Sequence, residues 1–110
     1  MHWLIGALAA ALALLTASDQ VAAQSWPARP IKFIVSQAAG GTPDIICRLI
    51  AEKLSRALGQ QVVVDNKPGG GNIIGAQTAA RSASDGYTFF FATAAALVTN
   101  PYTFKSLPYD

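Results

Sequence analysis

Two stretches of this chain follow one plan: a strand of β-branched and aromatic residues, then a glycine-rich turn, then the start of a helix. The first runs Ile31-Lys32-Phe33-Ile34-Val35 into Gly40-Gly41-Thr42-Pro43-Asp44. The second runs Val62-Val63-Val64 into Pro68-Gly69-Gly70-Gly71-Asn72. A strand that feeds a helix must cross over, right-handed, to a parallel neighbour. Both turns then lie at the carboxyl edge of one sheet, where open α/β sheets receive their ligands. A helix start there offers unsatisfied N–H groups and the positive end of the helix dipole, a site for an anion that needs no lysine or arginine. The same glycines would also serve plain tight turns, and the pattern alone leaves both readings open.

Between the two turns every local signal agrees on a helix. Ile46, Ile50, Leu54 and Leu58 recur every four residues, with Ile45 and Leu49 widening the apolar stripe, while Arg48, Glu52 and Arg56 lie opposite. Glu52 and Arg56 have the spacing of a favourable pair. Thr42 can cap the helix, Pro43 is tolerated in its first turn, and Gly59 supplies the stop. A second strand is expected over 61–65 and a weaker, Ala-rich helix over 73–82. Ser84-Asp85-Gly86 is a turn, and 87–92 a strongly aromatic third strand. Residues 94–98 start another helix or loop, which Asn100-Pro101 should break. The order β-α-β-α-β implies a parallel sheet with an incomplete core.

The front of the chain reads differently. Trp3 to Ala17 carries no charge and is dominated by Leu and Ala, and these 15 residues are fewer than the roughly 20 a bilayer-spanning helix needs. Small residues at Val21-Ala22-Ala23 then suit a signal peptidase. Residues 1–23 are read as an export signal cleaved before Gln24, in preference to a buried amino-terminal helix. The remainder, 24–110, holds eight basic and five acidic residues, a net charge of +3. The basic residues stand singly, without the run that tracks a phosphate backbone, so nucleic acid is not an expected partner.

Cofactor and catalytic signatures are missing too. Gly69 and Gly71 begin a dinucleotide fingerprint that Ile74 ends, and Gly70 with Gly75 begins a P-loop that continues Ala76-Gln77. The lone Cys47 has no partner for a disulfide or a zinc site, and reads as a small buried apolar group. The one histidine, His2, falls in the export signal, so no Ser-His or Cys-His pair can form. Asp44 is explained by the helix dipole, or it takes a hydrogen bond from a ligand or its water. Asp65 and Asp85 read as solvated or capping residues. The expectation is a non-catalytic chain without cofactor or metal.

The sequence Trp26-Pro27-Ala28-Arg29-Pro30-Ile31, with Ala39-Gly40-Gly41-Thr42-Pro43-Asp44, resembles the start of a mature Bug-family protein. So do Ala57-Leu58-Gly59-Gln60-Gln61-Val62-Val63-Val64, Asn66-Lys67-Pro68-Gly69-Gly70-Gly71-Asn72-Ile73-Ile74-Gly75 and Asp85-Gly86-Tyr87-Thr88, in order along 26–110. These are the TctC-type periplasmic solute receptors of tripartite tricarboxylate transporters. The resemblance implies a type II periplasmic-binding fold whose two lobes close on a small carboxylated solute, with a membrane permease as partner. This chain would supply the first part of lobe one only. By the same resemblance, ligand contacts fall at Gln37, Ala38, Gly40, Gly41 and Asp44, at Gly70, Gly71 and Asn72, and at Thr93. Where many members have an aromatic residue and proline before the paired glycines, this chain has Ser36-Gln37-Ala38-Ala39, which places an amide where others have an apolar wall. The rival readings are a periplasmic sensing module for a signalling partner and a piece of a secreted α/β enzyme.

Overall fold

The computed structural model describes residues 25–110; the expected export signal lies outside the described residues. Three parallel strands, β1 (Ile31–Val35), β2 (Val62–Asn66) and β3 (Thr88–Phe91), form one sheet in the order β2-β1-β3. Helix α1 (Thr42–Leu58) joins β1 to β2, and a single 3-10 turn (Gly70–Asn72) with α2 (Ile73–Ala80) joins β2 to β3. A π-helical turn (Ala95–Thr99) follows and runs into a short helix, α3 (Asn100–Thr103). The chain leaves β1 outward to β2 and then returns to β3 on the far side of β1. The direction of winding therefore reverses between β1 and β3, and the crevice this creates opens at their carboxyl ends.

Central placement explains the composition of β1. Ile31, Ile34 and Val35 are buried, as expected of a strand covered on both faces. On one face Ile31 and Val62 pack against Ala51 of α1, with Phe33, Val64, Leu54 and Leu58 around them. On the other face α2 lies so close that a Cβ built on Gly75 would stand 2.7 Å from Ser36 Cα and 3.0 Å from the Lys67 carbonyl. Only glycine permits that approach.

Helix α1 is present as expected, with Leu54 and Leu58 of its apolar stripe against the core, but its first half turns smaller residues to the sheet. Its buried positions are Asp44, Cys47 and Ala51, while Ile45, Ile46, Leu49 and Ile50 are exposed, Leu49 at 56%. Two causes combine. Cys47 and Ala51 are small enough to let the helix sit close on the sheet, and Asp44 is drawn inward by the hydrogen bonds described below. Gly41, not Thr42, is the N-cap, and no side chain caps this end. Pro43 lies in the first turn and Gly59 ends the helix in the left-handed region (φ 66°). Glu52 and Arg56 do pair along the exposed side. Cys47 is fully buried, and burial pushes its thiol above the ordinary range. Asn100-Pro101 does not break the helix: the π-helical turn runs straight into α3 with helical backbone at Thr99 and Asn100, and the Ala96 carbonyl five residues before the proline accepts the Tyr109 hydroxyl instead.

The amino edge of the sheet is closed by a clasp. Trp26 Nε1 donates to the Gly86 carbonyl (3.2 Å), and the Ala28 amide donates to the Tyr87 hydroxyl (2.9 Å). Arg29 lies 4.1 Å over the Tyr87 ring and pairs with Asp85 at 2.6 Å. Asp85 also accepts from the Tyr87 amide, and these bonds hold its carboxyl below the usual range.

Replacing Gly75 by alanine should force α2 off the sheet. An overpacking cost of about 1–3 kcal/mol is expected, read as a lower urea midpoint with an unchanged slope. A midpoint equal to wild type would show that the helix has room to retreat.

Candidate functional site

The register of the sheet assembles the site. Val35 pairs with Asn66 on one side and Phe91 on the other. The segments that follow the three strands, 36–41, 67–72 and 92–94, therefore emerge side by side at the carboxyl edge. Every residue expected to touch ligand lies on these segments or in the first turn of α1.

Asp44 holds the first segment in shape. Its side chain, 2% exposed as a residue, accepts hydrogen bonds from the Gly40 amide (2.8 Å), Arg48 Nε (3.0 Å) and Asn66 Nδ2 (2.9 Å). Asn66 Nδ2 also donates to the Gln37 carbonyl at 3.0 Å, and Arg48 donates to Asn66 Oδ1 at 2.9 Å. One carboxylate thus ties the loop after β1, the first turn of α1 and the end of β2 together. Arg48, then the Gly40 amide and Asn66, hold the Asp44 carboxyl at about 2, against an ordinary 3.8. It is ionised at any physiological pH.

The arrangement changes what the paired glycines do. The Gly40 amide is taken by Asp44, and the Gly41 amide donates to the Ala38 carbonyl at 3.3 Å. Within the first turn of α1, the groups left without an intrahelical partner are the amides of Thr42 and Asp44, since Pro43 has none. Gly40, with φ 86°, makes the turn, and Gly41 caps the helix. Ala38 is exposed and Gln37 half-buried, its side-chain amide not engaged among the bonds described.

The second segment is more unusual. Gly69, Gly70, Gly71 and Asn72 all have positive φ (114°, 59°, 65° and 72°), and Asn72 is the one such non-glycine residue among those described. Four positive-φ residues in a row, with Gly71 and Asn72 in the left-handed helical region, turn the chain sharply before α2 begins at Ile73. Gly70 and Gly71 are exposed at the edge, and Asn72 is half-buried at the cap of α2. In the third segment, Thr93 has its backbone carbonyl occupied by the Ala96 amide at 3.1 Å, while its buried hydroxyl has no partner. Ser36, 1% exposed at the end of β1, carries a second unpartnered hydroxyl. Both fall at the ends of β1 and β3, the strands that flank the crevice.

The charged residues next to these segments are paired: Arg48 with Asp44, and Lys67 with Asp65 at 3.5 Å, which also faces Lys32 at 4.0 Å. Among the described residues no group of three metal-ligating side chains converges. The edge therefore offers hydrogen-bond donors and two helix starts, with Arg48 and Lys67 beside them already paired. Sequence reasoning missed Arg48 and Asn66 as organisers of the site. The four-residue spacing of Asp44 and Arg48 was a usable signal, whereas the Asn66 contact spans 22 positions and leaves no local trace.

One family of known proteins matches this chain in sequence and fold. The tripartite tricarboxylate transporter family receptor, TctC, matches this chain over residues 46–110. A UPF0065 protein of Bordetella bronchiseptica is 49% identical over 88 residues, covering 80% of this chain and 26% of its own length. A structure of a periplasmic transporter superposes with a TM-score of 0.76 at 47% identity, over 78% of this chain and 29% of that one. An R. palustris protein solved with adipate gives a TM-score of 0.74 at 39% identity, over 77% and 28%. MatC from Rhodopseudomonas palustris, solved with bound malate, gives 0.57 at 34% identity, over 59% and 22%. The chain thus spans less than a third of each of these proteins. With the matching parallel α/β architecture, these likenesses show that the chain belongs to the TctC receptor family of the tripartite tricarboxylate transporters, of periplasmic-binding-protein fold.

Proposed function

We propose that residues 25–110 form one wall of a periplasmic receptor that binds a small carboxylated solute and presents it to a membrane permease, after export directed by residues 1–23. The observation that carries this reading is the set of donors at the carboxyl edge: two helix starts and a positive-φ glycine turn, with the neighbouring Arg48 and Lys67 already paired. Such a site favours an anion through oriented dipoles and N–H groups rather than through a salt bridge. Relatives solved with adipate and with malate supply the chemical class. Ligand contacts are assigned to Gln37, Ala38, Gly70, Gly71, Asn72 and Thr93. Gly40, Gly41 and Asp44 shape the loop that meets the ligand. A receptor is favoured over an enzyme because no histidine or nucleophile–base pair stands at this edge, and the family is one of solute-binding proteins.

The product of the complete reading frame that contains residues 25–110 should be stabilised by adipate or malate in a thermal-shift screen, since a ligand of the folded state raises Tm. Adipamide, the neutral analogue of adipate, should do nothing. Equal shifts with adipate and adipamide, or none across a broad carboxylate panel, would sink the proposal.

Asp44 links the same site to pH. Its folded-state value lies below its unfolded one, so its stabilising contribution is complete above 3.8 and is lost as pH falls towards about 2. The wild type should lose stability through that interval. Asp44→Asn should start with a lower urea midpoint at neutral pH and show a shallower acid loss. Parallel curves for the two proteins would show that another carboxylate governs the acid limb.

A further inference from the structure

The positive-φ turn at 69–72 needs an external hold. Each left-handed residue other than glycine is disfavoured by roughly 1–2 kcal/mol, and glycines carry the largest freedom to lose on ordering. Neither the 3-10 turn nor α2 has a side chain bonded to its cap. The hold comes from beyond β3. Asn100, 5% exposed, donates from Nδ2 to the Gly71 carbonyl at 2.8 Å, across 29 positions of sequence. The Tyr109 hydroxyl lies 3.3 Å from the same nitrogen and donates to the Ala96 carbonyl at 2.6 Å. The Phe104 ring stands 3.6 Å from the point where a Cβ on Gly71 would lie, covering the turn from behind. The π-helical turn that places Asn100 starts from the Thr93 carbonyl, which accepts the Ala96 amide at 3.1 Å. One segment, 93–104, therefore connects the hydroxyl of Thr93 to the glycine turn.

We propose that Asn100 is a positioning residue for ligand binding: its amide, backed by Phe104, holds Gly71 so that the turn at 69–72 presents its outward groups to the solute in register with Thr93. This rests on the receptor reading above. Asn100 does not touch the solute. It removes in advance the disorder that binding would otherwise have to remove, which is how preorganisation raises affinity.

The test uses the product of the complete reading frame. Without ligand, amide hydrogen exchange at 70–73 should be markedly faster in Asn100→Asp, which keeps the shape but loses the donor; unchanged exchange would overturn the hold. With adipate and malate, calorimetry should show Asn100→Ala and Asn100→Asp weakening the acid that wild type binds by about tenfold, the scale of one hydrogen bond. Ser55→Ala, which removes the acceptor of the Val62 amide, should lower Tm and leave affinity unchanged. The introduced carboxyl regains a donor when protonated, so the Asn100→Asp deficit relative to wild type should shrink on acidification. Should the Asn100 variants fail to fold, Phe104→Ala decides, because that side chain is partly exposed and its loss should weaken binding about threefold with little change in Tm. Wild-type affinity in these variants, or a comparable loss of affinity in Ser55→Ala for the same drop in Tm, overturns the positioning role. If wild type binds neither acid, the receptor reading fails, and the exchange measurement still decides whether Asn100 holds the turn.

Discussion

The Asp44 carboxylate is the interaction on which the carboxyl edge depends. A buried anion is tolerated only where donors replace the water it has lost, and here three arrive from three directions: the Gly40 amide, Arg48 and Asn66. Those donors belong to the loop after β1, to α1 and to β2. Satisfying one side chain therefore fixes the positions of three elements at once. It also sets the rotation of α1, bringing Cys47 and Ala51 to the sheet and leaving the larger Ile46 and Ile50 outside. With Gly40 and Gly41 bonded within the loop, the paired glycines are architecture, and in the proposed receptor anion affinity rests on the groups around them.

The second half of the edge is built differently. Where the first loop is tied by charge, the glycine turn is held by closeness and by a neutral amide. Gly75 lets α2 touch β1, and Asn100 secures Gly71 from the far side of β3. The unpartnered hydroxyls of Ser36 and Thr93 lie between these two constructions. Buried hydroxyls without a protein partner are rare in native proteins, and each calls for a partner such as an ordered water.

Much of the fold was legible because its signals are local. Two strand–glycine–helix units, a proline in a first turn and a glycine stop at Gly59 fix the order of elements, and the observed strands differ from the expected ones by a residue or two at their ends. The misreadings share one cause. The apolar stripe through Ile46 and Ile50 looked like the buried face because Leu and Ile usually are buried, and nothing near Asp44 shows that Asn66 will claim it. Asn100-Pro101 looked like a stop because proline ends helices from inside, and only the preceding π-helical turn makes it a beginning. The residues carried over by resemblance all lie at or beside one edge, but which of their atoms remain free is a property of the hydrogen-bond network. That cannot be read from residue types.

The clasp of Trp26, Arg29, Asp85 and Tyr87 closes the sheet at the ends of the strands farthest from the glycine turns. Five residues of β1 separate the two edges, roughly 16 Å at the rise of a parallel strand. Ser25 and Trp26 therefore stand on the amino side of the sheet, opposite the glycine turns. Attachment to a surface through that end would turn the carboxyl edge of this sheet away from the surface.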